Sequence, residues 1–227
     1  MAMLGQAALA MWWDMAPDMR TEFEHWHTHE HYPERLGIPG FRRASRWRDA
    51  MGDEGIFQMY ELEGHGVLSS EAYLARLNAP TLWSTRMMPH HRNMVRSQCA
   101  ALTSHGGVTA RHLLTVRFSP THGSDSGGLR RQLQPLLEDL AGRAGLGGAH
   151  LLQHNAPAIA QTTEQKMRGG DAYADWVLLV TGYEAETLDA VAAGELGAPA
   201  LEALGAAPGA VHGRYQLSYS ATPADVA

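Results

Sequence analysis

One order of elements occurs twice along this chain, and it limits the available folds more than any single motif does. Residues 7–14 form an apolar run suited to a buried strand, and residues 21–31 follow as a helix. Strands at 41–47 and 56–62 come next, separated by a Met51–Gly55 stretch of turn residues. Ser69 or Ser70 can then cap a helix running to Leu77, and a strand begins near residue 93. Residues 79–91, with Pro80, Pro89 and no clear period, read as an ordered loop. The second pass opens with a strand at 113–118 and a helix in which Leu129, Leu133, Leu136, Leu137 and Leu140 recur at helical spacing. Strands at 150–155 and 176–183, a helix at 185–193 and a strand at 211–221 complete it. Pro135 interrupts the leucine-rich helix and requires a kink or a first-turn position, and residues 156–174 read as an insertion.

Strand, helix, strand, strand, helix, strand, written twice, predicts an α+β chain of two tandem ferredoxin-like βαββαβ repeats, at residues 1–105 and 106–227. Each repeat would form a four-stranded antiparallel sheet with both helices on one face. The other face needs a cover, and the twin sheet supplies one, giving an eight-stranded barrel inside one chain. A length of 227 residues is enough for that core, and 44% hydrophobic with 19% charged residues excludes a disordered chain.

Composition removes several function classes. The formal net charge of -6, with basic residues gathered only in the mixed stretch at 41–49, leaves nucleic acid without a footprint. Cys99 stands alone, which rules out an internal disulfide framework or a CxxC site and fits a reducing compartment. The apolar start lacks a basic leader and ends at Asp14, so it reads as a first strand; no run reaches the ~18 apolar residues of a membrane span. Cytoplasm is the expected location. The glycine pairs at 127–128 and 147–148 match no phosphate-binding loop, so no nucleotide cofactor is expected.

Residues 21–41 carry the chemistry. Four of the thirteen histidines, His25, His27, His29 and His31, fall within seven residues, among Glu22, Glu24, Glu30 and Glu34. At about 100° per residue, Phe23, Trp26, His27 and Glu30 share one face with His31 at its edge, while His25 and His29 point away into solvent. Pro33 is expected to stop the helix near His31, with Gly37 and Pro39-Gly40 turning the chain into the next strand, where Phe41, Arg43, Ser45 and Trp47 share a face. His150 and His154 read as structural and Cys99 as a small buried hydrophobe.

Phe23, Trp26, Glu30-His31, Pro33-Glu34-Arg35-Leu36 and Ile38-Pro39-Gly40-Phe41, followed by a basic and aromatic strand and by Tyr60-Glu61-Leu62, resemble the dimeric α/β-barrel superfamily. Within it the likeness is to EthD-like proteins and their uncharacterised bacterial relatives. It covers residues 7–103 well and 110–221 only by element pattern, because the second leucine-rich helix has no histidine. The resemblance implies a ligand held between the sheet and the helices of one repeat. The superfamily spans cofactor-free oxygenases, lactone isomerases, cyclases and haem enzymes, so the fold alone selects no reaction.

The reading that follows is a cofactor-independent enzyme acting on a small aromatic, lactone or polyketide-like carbonyl compound. His31 or His27 would abstract a proton, oriented by Glu30 or Glu34, and Tyr60 would donate to the developing oxyanion. Trp26, Trp83 and Met87 or Met88 would wall the site, with Arg86 and His90 anchoring the substrate. No metal and no cofactor are expected in this reading. The alternatives are a metal or haem at His27 and His31, with His90 or His91 as a third ligand, and a binding protein without chemistry. Fusion of the repeats allows a monomer, and edge strands allow a homodimer.

Overall fold

Side chains along the first strand alternate between two apolar surroundings. In β1 (Ala7–Asp14), Ala8, Ala10 and Trp12 belong to one buried cluster, whereas Leu9 and Trp13 belong to others on the opposite face. A strand buried on both faces must lie between two layers. The computed structural model, which describes residues 3–123, 126–157 and 159–226, shows those layers to be a barrel interior and a helical coat.

The other strands are β2 (Phe41–Asp49), β3 (Gly55–Leu62), β4 (Arg92–Gly106), β5 (His112–Phe118), β6 (Leu146–His154), β7 (Trp176–Gly182) and β8 (Val211–Ala221). They close in the order β1-β3-β2-β8-β5-β7-β6-β4, every neighbour antiparallel. Within that ring, β4-β1-β3-β2 and β8-β5-β7-β6 are the same sheet written twice, as two ferredoxin-like repeats require. The repeats are sewn together by β2 against β8 and by β4 against β6. Both seams pair backbone donors and acceptors that would otherwise form open sheet edges.

The interior draws on both repeats: Trp12, Trp47, Phe57 and Cys99 from the first meet Leu113, Val177, Leu179 and Tyr215 from the second. Burial pushes the Cys99 thiol up to about 12, so it behaves as a small apolar residue. His150 is structural, with Nδ1 bonded to Ser104 Oγ at 2.9 Å and Nε2 to the Gly107 carbonyl at 3.2 Å. A register shift between Phe41 and Arg43 separates two residues expected on one face. Phe41 turns outward beside Tyr60, while Trp47 faces the interior.

The coat comprises α1 (Arg20–Trp26), α2 (Tyr32–Leu36), α3 (Glu71–Asn78), α4 (Leu82–Met87), α5 (Ser126–Gly142), α6 (Thr163–Met167), α7 (Ala185–Ala193) and α8 (Ala198–Ala203). The helix expected to end near His31 instead continues. Residues His27–His31 form a π-turn, and α2 follows with Pro33 in its first turn. A first-turn proline needs no amide donor, and the widened turn before it resets the bonding pattern. The stretch read as a loop at 79–91 contains α4, whose cap is the Thr81 hydroxyl accepting the Ser84 amide at 3.0 Å. Six residues are too few to show a period in the sequence.

Over the second repeat the coat is plainly hydrophobic. Leu129, Leu133, Leu137 and Leu140 of α5 pack on Leu114, Val116, Leu151 and Leu178, with Pro135 on the exposed side of the helix. No described helix is long and apolar enough to cross a membrane. Leu133 is fully buried and Leu136 only partly. Leu133→Ala is therefore expected to lower unfolding free energy by about 2–5 kcal/mol and Leu136→Ala by clearly less, measured by denaturant melts.

Candidate active site

The same coat position over the first repeat is polar where the second repeat has leucine. Trp26, His27, His31 and Arg35 lie on the inward side of the α1–π-turn–α2 run and face the outer surface of the sheet. From β1, β3 and β4 they meet Leu9, Met11, Trp13, Gln58, Tyr60, Met94 and Arg96, and from α3 they meet Tyr73 and Leu77. His91, just before β4, and Met88 close one end. Thr162, Glu164, Gln165 and Arg168, all from the insertion in the second repeat, close the top. Water-sized centres occupy ≈ 30 Å³ of the enclosed hollow, room for a couple of waters.

Four buried polar atoms on its wall have no protein hydrogen-bond partner: Trp13 Nε1, His31 Nδ1, Gln58 Nε2 and Tyr60 Oη. Buried donors and acceptors are normally paired, and leaving one unpaired costs about 1–3 kcal/mol. All four converge on one hollow.

The two inner histidines are held differently. His27 Nδ1 lies 3.2 Å from Arg46 Nη1, and because a guanidinium only donates, Nδ1 accepts and the ring proton sits on Nε2. His31 stacks on His27 with centroids 5.3 Å apart and planes 18° from parallel, and it also packs on Trp26 at 4.5 Å. Burial, helped by the nearby Arg46 and His91, holds His27 well below the usual imidazole range, against a side-chain bond to Gln58. Burial, then Arg35 and His27, does the same to His31. His91 is pushed down to about 3, chiefly by burial, and gives its Nδ1 proton to the Met87 carbonyl at 3.1 Å. The hollow is thus walled by three neutral imidazoles.

Charge there is cationic. Arg35, Arg96 and Arg168 line the hollow, with Glu164 as the one lining carboxylate among the described residues. Arg35 Nη2 meets Glu164 Oε1 at 2.5 Å and Arg35 Nη1 meets Glu34 Oε2 at 3.0 Å. Arg168 bonds Asp171 through both nitrogens at 3.1 and 2.9 Å, and Arg96 donates to Tyr73 Oη at 2.9 Å. Burial opposes charge on Arg35, but Glu164, Tyr60 and Glu34 outweigh it and keep the guanidinium protonated. Tyr60 stays a neutral phenol because burial drives its ionisation well up.

Several predicted residues sit elsewhere. His25 and His29 are exposed, as expected. Glu30 does not orient His31; it accepts from Trp26 Nε1 at 3.1 Å and Thr81 Oγ1 at 2.5 Å, tying the π-turn to α4. Glu34 serves Arg35 and Arg76 instead. Arg86 is exposed and pairs with Glu22 at 2.6 Å, and Trp83 Nε1 gives its proton to the same carboxylate at 2.9 Å, so both belong to the outer surface of the helices. His90 is not on the hollow; its neighbour His91 is, because the turn before β4 directs consecutive side chains apart. Of the methionine pair, Met88 lines the hollow and Met87 packs in the core beside it.

Gln58, Arg96, Arg35, Glu164 and Arg168 were not among the predicted site residues, and His91 was named only as a candidate metal ligand. Gln58 carried a signal, being a polar residue at an outward position of β3 between Ile56 and Tyr60; Arg96 carried little, since Gln98 on the same face of β4 is also polar. Glu164 and Arg168 carried none, since only the fold brings residue 164 to residue 35. The predicted metal alternative does not fit: the rings of His27 and His31 stack rather than converge, and Arg46 engages one of them. Among the described residues no three His, Cys, Asp or Glu side chains are grouped to hold a metal.

No protein-family model matches the chain, and no curated protein matches it. Solved structures do. An anthrone oxidase-like protein aligns with TM-score 0.66 at 11% identity, over 96% of this chain and 93% of that one. A candidate monooxygenase from Fusobacterium nucleatum subsp. nucleatum aligns with TM-score 0.59 at 9% identity, over 97% and 96% of the two chains. Another from Lactobacillus acidophilus NCFM gives 0.59 at 8%, over 96% and 97%. The chain therefore has the dimeric α/β-barrel fold of ferredoxin-like repeats. It closes that barrel within a single polypeptide, and identities this low speak for the fold alone.

The buried imidazoles make folding sensitive to acid. Unfolded, each titrates near 6.5, so below that pH the unfolded chain takes up protons that the folded chain refuses. Stability is then whole above about pH 6.5 and falls toward pH 3, by up to about 1.4 kcal/mol per pH unit for each imidazole. In His91→Asn, which keeps a donor for the Met87 carbonyl, thermal melts between pH 6 and pH 4 are expected to show a shallower acid limb; an unchanged limb contradicts the assignment.

Proposed function

We propose that this chain is an enzyme that removes a proton from a small aromatic, lactone or polyketide-like carbonyl compound without a cofactor, with His31 as the base. The observation that supports this most is the set of unpaired polar atoms around one enclosed, cationic hollow. His31 Nδ1 has no protein partner, whereas His27 Nδ1 is taken by Arg46, so of the two His31 has the free nitrogen. A base held well below the ordinary imidazole range is weak while the hollow lacks an anion. Burial chiefly keeps His31 neutral and repulsion from Arg35 adds to it; a substrate that develops negative charge beside Arg35 and Arg168 offsets that added repulsion, so proton acceptance and anion formation assist each other.

The other walls have roles in the same step. Tyr60 and Gln58 carry unpaired donors that can meet the developing oxyanion. His27, fixed by Arg46 and stacked under His31, holds the orientation of the base's ring rather than sharing its task. Trp13, Trp26 and Met88 supply apolar surface for a planar ring system. The aligned structures include an anthrone oxidase-like protein and candidate monooxygenases, and oxygenation after proton removal is among the outcomes this reading covers.

Deuterium wash-in from solvent at the acidic carbon of anthrones, lactones and aromatic β-dicarbonyl compounds, followed by NMR, reads proton removal whatever comes after it. His31→Gln is expected to slow wash-in by about 10²–10⁴-fold with little change in KM, and Tyr60→Phe by less, both variants keeping their far-ultraviolet spectrum. Wash-in at the native rate in His31→Gln would refute the assignment of the base.

A further inference from the structure

Glu164 is out of place for a wall of this hollow. It belongs to α6 in the crossover between β6 and β7 of the second repeat, yet its carboxylate is buried against Arg35 of the first, 129 positions away. Both side chains are no more than 4% exposed. The second oxygen of Glu164 lies 3.9 Å from Arg168. A carboxylate thus sits between two guanidinium groups, at the edge of a space with room for only a couple of waters. A planar carbonyl compound cannot enter unless part of the wall leaves.

The part built to leave is the insertion. Its ends are pinned to the sheet: Asn155 N–H donates to the Gln98 carbonyl at 2.8 Å, and Ala172 is bonded in both directions to β4, through Met94 at 3.0 Å and Arg96 at 2.8 Å. Between these pins, Thr163 bonds Asn78 at 3.1 and 3.3 Å, Arg168 bonds Met88 Sδ at 3.5 Å, and Met167 packs against the apolar cluster of Trp13 and Trp26. Gly169 and Gly170 end α6 with φ of +82° and +102°, left-handed backbone that glycine adopts freely, and their amides bond back to the Lys166 and Gln165 carbonyls at 3.2 and 3.1 Å. Through α6 the insertion covers the hollow as a flap, and its ion-paired hold on the first repeat is the Glu164–Arg35 pair.

We propose that Glu164 occupies the place of an oxyanion of the substrate: a carboxylate or phenolate on the substrate takes over Arg35, and the flap from the second repeat opens only in exchange for it. The reasoning is electrostatic. Arg35 is desolvated and has two carboxylate partners, Glu34 and Glu164, so opening without an anion takes one of them from a buried guanidinium, whereas opening with one replaces an ion pair by an equivalent ion pair. A neutral ligand of the same shape gains nothing from this exchange. The proposal rests on the hollow beside His31 being the ligand site and adds the class of compound it takes.

Calorimetry with 1-hydroxy-2-naphthoate and its uncharged amide, at low ionic strength, separates the possibilities. Wild type is expected to bind the naphthoate and not the amide. Glu164→Gln, which removes the competing charge while keeping shape, is expected to bind the naphthoate at least ten-fold more tightly with no gain for the amide. Arg35→Gln combined with Glu164→Gln removes both members of the exchanged pair, with Glu34 still beside Arg76, and is expected to lose the preference altogether. Amide exchange across residues 162–168 is expected to speed up when the wild-type chain is saturated with naphthoate. Equal gains for acid and amide in Glu164→Gln, or an undiminished acid preference in the double variant, overturns the proposal. Because these readouts need no turnover, a His31→Gln chain that binds naphthoate normally but still exchanges deuterium would sink the assignment of the base while leaving the anion exchange standing.

Discussion

Closure of the barrel governs everything else in this molecule. Each repeat offers a sheet with two apolar faces, and a four-stranded sheet alone can bury only one of them under its helices. Pairing β2 with β8 and β4 with β6 removes the four open edges and turns the two inner faces toward each other, so that Trp12, Trp47 and Phe57 pack against Leu113, Val177 and Tyr215. A homodimer of single repeats would meet the same demand with two copies. Here covalent fusion meets it once, and it frees the two outer coats to diverge.

That freedom shows in the contrast between the coats. Over the second repeat, α5 lays buried leucines on the sheet, and nothing polar intervenes. Over the first, the corresponding helical run places His27, His31 and Arg35 at the same depth, beneath a widened turn. Putting imidazoles and guanidinium groups where leucine would do lowers stability, since buried polar groups must be desolvated and matched. Arg46, Glu34 and Glu164 match some of them, and the remainder face the hollow without partners. The second repeat shows that the fold itself does not need that arrangement.

The repeats are also unequal in a second way. The first supplies the sheet face and the helix face of the site, while the second supplies its cover through the insertion that carries α6. A symmetric pair of repeats could not do this without covering two hollows, so the asymmetry follows from a segment present in one connection only. The hollow is lined by both halves.

The element order, the doubling of the βαββαβ unit and the buried face of the histidine helix were all legible in the residues, because alternation at two and at 3.6 is a local property of the chain. Tyr60 and Trp26 were legible for the same reason, each lying on the apolar face of its element. Local pattern failed at the π-turn, where a proline that ends a regular helix is absorbed by one wider turn, and at α4, which is too short to declare a period. It failed again at Glu30, Trp83, Arg86 and His90, which have the right chemistry at positions that only packing could test. By itself, then, the sequence determined which faces had to be buried and that two sheets had to share a core. Only the tertiary structure decided which polar groups meet across that coat, because Glu164 reaches Arg35, and Arg46 reaches His27, through strand pairings and a crossover that leave no trace in neighbouring residues.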